Sequence, residues 1–266
     1  MNGPMALLQL GEQELLAWIN AVLWPFVRIG ALLLAAPLFG ARTVPVRARV
    51  LLALTLALIV APGVDVPADT QPLSAAGALL LVREVVIGAS MGFLLQLVFG
   101  AMAMAGEIVA LSMGLAFASM VDPERGVSVP LVGQYFVIFA TLLFLTFDGH
   151  LALLTLLVES FQLLPPAAAG LPAGGFWELV GWGSAMFEAA VFVALPASAA
   201  LLVASVSMGL IARSAPQLNI FAVGFPMTLV LGMVTLLLVM PSLPLQLEQV
   251  LDSAFTLSRS MLESWR

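Results

Sequence analysis

Cysteine and lysine are absent from this 266-residue sequence, histidine occurs once (His150), and only 9% of the residues are charged. Without cysteine there are no disulfides and no thiolate metal sites. One histidine cannot form a cluster that ligates a metal. The lack of lysine removes the usual phosphate-loop and Schiff-base chemistries. Nine basic against fifteen acidic residues, net charge −6, argues against a nucleic-acid surface. What remains is apolar: 62% hydrophobic residues and a mean hydropathy of +1.13. Soluble domains are about half apolar and about a quarter charged, and no globular fold could hide this much apolar surface from water. The sequence therefore reads as an all-α integral membrane protein with no expected cofactor, metal or catalytic centre.

Charge-free windows at 50–64, 85–106, 126–147, 189–212 and 214–247 outline the apolar segments. A helix needs roughly 20 apolar residues to cross the hydrocarbon core. About six long hydrophobic helices are predicted, at Leu15–Phe39, Val50–Val60, Ala78–Met104, Leu131–Phe147, Phe176–Ile211 and Ile220–Met240. Val109–Val121 and Leu151–Leu164 are too short to span and read as re-entrant or interfacial. Pro25, Pro37 and Pro196 are expected to kink or interrupt their helices, since proline removes a donor and clashes with the preceding turn. The first run is expected to be a membrane helix, because Glu12 and Glu14 replace the basic start of a cleavable signal. Arg42, Arg47 and Arg49 in the first loop, against Asp65 and Asp69 in the second, place the first loop in the cytoplasm and the N-terminus outside. After Pro244, Leu247, Val250, Leu251, Ala254, Met261, Leu262 and Trp265 recur at helical spacing opposite Glu248, Asp252, Arg259 and Glu263. That is an amphipathic helix, and its acidic polar face favours a partner groove over anionic lipid.

The charges inside or beside apolar segments are Arg28, Arg83, Glu84 and Glu107. Each is costly in lipid and is expected to face protein or water. They fit an ion or proton path, or else structural pairs and charges that snorkel to an interface. Arg83 and Glu84 stand near the start of their segment, where snorkelling is easy, and are expected to be structural pairs or snorkelling charges, each with a separate partner, since sequence neighbours do not face each other on a helix. For Arg28 and Glu107 both readings stay open, and a secondary transporter with a midplane site near them is the alternative function. Gly88 and Gly92 form a GxxxG that lets helix backbones approach closely. Ser90 and His150 would suit an intramembrane hydrolase only if they met within hydrogen-bond reach, and short matches of this kind arise readily by chance.

Two stretches stand out. Met113, Gly114, Leu115, Phe117, Met120, Val121 and Pro123 lie in an apolar run of large and small side chains, too short to span. Such residues can close a pore by dewetting, although an ordinary packing loop is the simpler reading of the residues alone. From Arg213 to Pro226, a cation suited to a helix C-terminus is followed by Pro216, by Gln217 and Asn219 in a non-helical link, and by Phe221, Gly224 and Pro226. This describes a rigid, hydrogen-bonded corner between two hydrophobic helices.

That corner closely resembles the signature of the FliR family of the flagellar type III export apparatus. Arg28-Ile29-Gly30, Ala36-Pro37-Leu38-Phe39-Gly40, and Val44-Pro45 followed by Arg47 and Arg49 resemble the family's N-terminal pattern, and Met113–Pro123 its central loop. The resemblance implies a structural subunit of a closed protein-export gate in the bacterial inner membrane and flagellar basal body. FliP and FliQ homologues would be its partners, with an FlhB homologue in contact and exported flagellar proteins as substrates. It also implies a FliP-like part over 1–175, containing a plug loop at 106–130, and a FliQ-like hairpin over 176–266. Part of the mass would then lie towards the periplasm, with kinked hairpins buried on neighbouring subunits. Met227-Thr228, where injectisome relatives often carry a lysine, favours the flagellar branch.

Overall fold

The computed structural model describes residues 3–41, 43–66, 71–115, 131–166, 173–214 and 220–266. Among them are eight α-helices and no strand: α1 (Gly3–Ala35), α2 (Val46–Val60), α3 (Ala75–Ser112), α4 (Leu131–Thr146), α5 (Gly149–Leu163), α6 (Ala173–Ser214), α7 (Ile220–Val239) and α8 (Leu243–Ser264). Turns of 3-10 helix at Ala61–Gly63 and Met240–Ser242 extend α2 and join α7 to α8. Five stretches are long and apolar enough to cross a membrane, and α4 with α5 makes a sixth if that broken pair acts as one span. The all-α membrane architecture is therefore present.

Several boundaries differ from the sequence reading. The first helix stops at Ala35, because the residue before Pro37 is pushed out of the helical region. Pro25 and Pro196 do not interrupt their helices, which run through both, and Pro226 lies inside α7 as the expected Ile220–Met240 helix required. One lost hydrogen bond is tolerated where the rest of a long helix continues and no water competes for its neighbours. Val109–Ser112 is the last turn of α3 and not part of a separate re-entrant segment, while Leu151–Leu163 lies within α5. Asp148, in the turn between α4 and α5, adopts φ 55°, a left-handed conformation that a short polar side chain accepts.

The chain divides into two compact units: Met1–Gln96, Gly149–Trp182 and Ser253–Arg266 in the first, Leu97–Asp148 and Gly183–Asp252 in the second. In the first, α1 lies directly on α3. A Cβ at Gly88 would collide with the Arg28 carbonyl oxygen, and one at Gly92 would sit 2.6 Å from Ala35 Cβ and 2.8 Å from Ala36 N. The GxxxG thus works as expected, by removing side chains where two backbones meet. Trp24, Ile29, Leu32, Ile87 and Met91 fill the same interface and are buried. At the chain end Trp265 packs against Phe176, ring centroids 5.1 Å apart, and lies where a Cβ on Gly175 would be.

In the second unit α3 crosses α4 equally closely: a Cβ at Gly106 would stand 2.6 Å from Gly133 Cα. Phe99 and Phe144 meet edge to face at 5.7 Å, and the Ser112 hydroxyl reaches Ser198 Oγ at 3.3 Å. By contrast Phe187, Phe192, Leu202 and Val203 of α6 and Val230, Leu237 and Leu238 of α7 are exposed, as lipid or an apolar neighbour requires. The amphipathic C-terminal helix forms as α8, but its stripe is already used: Leu247, Leu251, Ala254, Met261, Leu262 and Trp265 are all buried within this chain. The expected partner groove is therefore replaced by the chain itself, and Arg259 on the polar side pairs with Glu159 at 3.0 Å.

Gly92→Leu should separate α1 from α3. Overpacking of this kind costs about 1–3 kcal/mol, so thermal unfolding in detergent should begin at lower temperature than in wild type. An unchanged transition would contradict the backbone contact.

Candidate functional site

The densest polar cluster lies in the first unit, where α1 and α3 meet the end of α5. Arg28 on α1 and Glu84 on α3 are both fully buried. Arg28 Nε donates to Glu84 Oε2 at 2.7 Å and Nη2 to Oε1 at 3.1 Å, a forked pair. Nη1 donates to the Ser160 carbonyl at 2.8 Å and to Ser160 Oγ at 3.1 Å, and Nη2 also donates to the Leu164 carbonyl at 2.7 Å. The Ser160 hydroxyl in turn donates a hydrogen bond to the Leu157 carbonyl at 2.7 Å. A guanidinium has five N–H donors, and all five are met. The Phe161 ring covers the charge, with Cζ 4.2 Å from its centroid.

Local sequence explains why α5 supplies these acceptors. Pro165 and Pro166 stop the helix, so the carbonyls of 164–166 lie beyond its last intrahelical bond. The Ser160 carbonyl, already bonded by the Leu164 N–H at 2.9 Å, accepts Arg28 as a second donor. Cations at a helix C-terminus satisfy such carbonyls and complement the dipole. Arg83 does the same one step further on, donating from Nη1 to the Pro165 carbonyl at 3.1 Å and the Pro166 carbonyl at 3.3 Å. The same Nη1 stands 3.9 Å from Glu84, while Arg83 Nε and Nη2 have no hydrogen-bond partner. Of the two structural readings, Arg83 and Glu84 follow pairing and not snorkelling. Glu84 is wholly buried and Arg83 is 6% exposed, because Arg28 serves the one and the carbonyls after α5 serve the other.

The carboxylate that serves Arg28 is Glu84, and not the Glu107 with which a midplane site was sketched. Glu107 belongs to the second unit, half-buried, with Oε1 3.0 Å from the position of a Cβ on Gly133. Ser90 is buried and His150 Nδ1 is buried without a hydrogen-bond partner, so Nδ1 is not bonded to Ser90 as the hydrolase reading would need. Sequence reading missed Ser160, Phe161 and the carbonyls of 164–166. The Pro165-Pro166 pair directly after an apolar run was the available signal.

Of the central loop, Met113, Gly114 and Leu115 are described, whereas Phe117, Met120, Val121 and Pro123 lie outside the described residues. The described part is a helix stop. Gly114 adopts φ 79°, its N–H bonds the Leu111 carbonyl at 3.0 Å, and the Leu115 N–H bonds that of Ala110 at 3.1 Å. This is the Schellman arrangement, which calls for a residue without Cβ strain at Gly114. Met113 is buried against α7: its Cγ and Cε would stand 2.5 Å from a Cβ on Gly232. Thr228 Oγ1 lies 3.2 Å from the Met113 carbonyl and 3.0 Å from that of Phe225. Of the corner, Arg213 ends α6 in its last turn as expected, while Pro216, Gln217 and Asn219 lie outside the described residues. Phe221, Gly224 and Pro226 fall within α7, with Gly224 buried and Pro226 exposed.

A model of the family described as "Bacterial export proteins, family 1" matches residues 19–254. The chain belongs to this family. It is 39% identical over 257 residues to the flagellar biosynthetic protein FliR of Pectobacterium carotovorum subsp. carotovorum, an alignment covering 96% of this chain and 98% of that protein. To FliR of Escherichia coli (strain K12) it is 38% identical, with 94% and 96% covered. To FliR of Bacillus subtilis (strain 168) it is 29% identical, with 91% and 94% covered. It is thus a flagellar biosynthesis protein of the export family, with helices able to cross a membrane.

Glu84→Gln leaves Arg28 buried beside a neutral side chain. Losing one partner of a buried pair costs about 3–5 kcal/mol, so this variant should unfold at much lower detergent or temperature stress than wild type. Arg28→Met combined with Glu84→Met should recover part of that loss. A single variant as stable as wild type would show that the pair does not hold α1 to α3.

Proposed function

We propose that this chain is a non-enzymatic structural subunit of the flagellar type III export gate, assembled with FliP and FliQ homologues and contacted by an FlhB homologue. The observation that carries this reading is similarity to FliR proteins along nearly the whole chain. Exported flagellar proteins would pass through the assembly, which would sit in the bacterial inner membrane within the basal body, with part of its mass towards the periplasm. Residues 1–175 would be the FliP-like part and 176–266 the FliQ-like hairpin.

Within that gate, Met113–Pro123 would be the apolar plug. Its first residue supports the reading, since Met113 is fixed to α7 by shape and by the nearby Thr228 hydroxyl, so the loop starts from an anchored point. Gln217 and Asn219 of the corner would then hydrogen-bond between segments or subunits. The transporter reading is weakened at Arg28, whose five donors are already used by Glu84, Ser160 and Leu164. A transport site needs a vacancy for its ion or solute.

Two measurements test the proposal. Tagged chain solubilised in mild detergent beside its native partners should bring down FliP- and FliQ-like proteins in one large complex, whereas a clean monomer or homodimer would refute the assembly. Shortening 113–123, or placing a charge there, should raise ion leakage across membranes that contain the assembled complex. Unchanged permeability in an intact complex would refute the plug.

A further inference from the structure

Between α1, α2 and the first part of α3 runs an apolar groove of about 550 Å³. Gly30, Ala31, Ala53 and Ala89 line it with small side chains, and Arg49 is its single charged lining residue. All of these lie in the first unit. A second groove of about 460 Å³, bordered like the first by Phe26 and Val50, continues to Trp18 and Leu54. Together they follow α1 from Ala35 back to Trp18, 17 positions away or about 25 Å of helix. One leaflet of the hydrocarbon core, half of roughly 30 Å, is shallower than that.

Two details favour an occupant from outside this chain. Glycine inside a helix is destabilising relative to alanine, and at Gly88 and Gly92 the touching backbones explain it. At Gly30 nothing in the chain comes within 4 Å of an added Cβ, so the chain's own packing does not call for a glycine there. At the end of the groove Arg49 donates from Nη2 to the Ala41 carbonyl, while its Nε is buried with no partner. A buried donor without an acceptor is costly. An apolar helix laid in the groove would leave that donor unmet. An anion carrying a hydrocarbon chain would satisfy both the donor and the apolar walls. Arg47 stands exposed close by, and Pro45 at the start of α2 provides no side-chain cap for the helix N-terminus. Both features add positive character at this end, whereas Asp65 lies past the other end of α2.

We propose that this groove binds one anionic phospholipid, its phosphate on Arg49 and one acyl chain along α1 past Gly30 and Phe26. Basic pockets between membrane helices bind anionic headgroups in this way. The site does not depend on the export-gate reading, because every residue that forms it belongs to this chain.

Native mass spectrometry tests it, using the full chain with its co-purifying subunits after exchange into phosphatidylglycerol or phosphatidylcholine. Wild type should retain one phosphatidylglycerol in preference to phosphatidylcholine. Arg49→Gln should lower phosphatidylglycerol retention about fivefold and leave phosphatidylcholine unaffected. Gly30→Leu should lower retention of both, and helicity by circular dichroism should match wild type because a Cβ at that position meets nothing within 4 Å and the rest of the side chain enters the groove. Equal retention of the two lipids by wild type, or unchanged phosphatidylglycerol retention in either variant, overturns the proposal. So does a photo-crosslinking residue at Val50 that yields a protein adduct and no lipid adduct, since a neighbouring helix would then fill the groove.

Discussion

A guanidinium that neither water nor lipid can solvate must find every acceptor within the protein, and Arg28 does so on two other stretches of chain, the early part of α3 and the end of α5. Glu84 supplies the countercharge from α3. The end of α5 supplies the Leu164 carbonyl, past the last helical bond, and the Ser160 carbonyl, which Arg28 shares with the Leu164 N–H. Neither half of the arrangement is stable alone, because an unpaired buried charge and an unmet carbonyl are both expensive in an apolar medium. Together they fix the register of α1 against α3 and the place at which α5 stops. The same logic accounts for Arg83, which crowns the next two carbonyls.

Polar satisfaction fixes where these helices stop, but shape fixes how close they come. Between helices in lipid there is little hydrophobic drive, so backbone contact and dispersion must do the holding. Gly88 and Gly92 bring α3 onto α1, and Gly106 with Gly133 does the same for α3 and α4. One long helix thus contributes close glycine crossings to both compact units. The share of its window that is buried, 61% against 11% for the span containing α2, follows from that role.

Much of this was legible in the sequence, for reasons tied to particular residues. The charge-free windows located the long helices, and the GxxxG at Gly88 announced a close crossing. The heptad-like stripe from Leu247 to Trp265 announced α8, though not where its apolar face would go, because periodicity marks a face and not the surface that covers it. Arg28 and Glu84 were each recognisable as costly. Their pairing was not, since 56 residues separate them and many partners at such a distance are compatible with one sequence. Pro37 interrupts its segment as read, and Pro226 lies inside the expected helix, whereas Pro25 and Pro196 lie inside helices that continue past them. A local rule measures the cost of the lost bond but not the length of helix on either side that absorbs it.

The stretch that carries the family resemblance gains physical meaning when α7 is read as a surface. Gly224, Thr228 and Gly232 are spaced by four and share one face of that helix. Gly224 is buried, Thr228 places its hydroxyl near the Met113 carbonyl, and Gly232 leaves the space that the Met113 side chain fills. Larger side chains at Gly232 would push Met113 away, and Gly114 one residue later has a backbone conformation that most residues resist. The end of α3 and the helix that follows the corner are therefore shaped to each other.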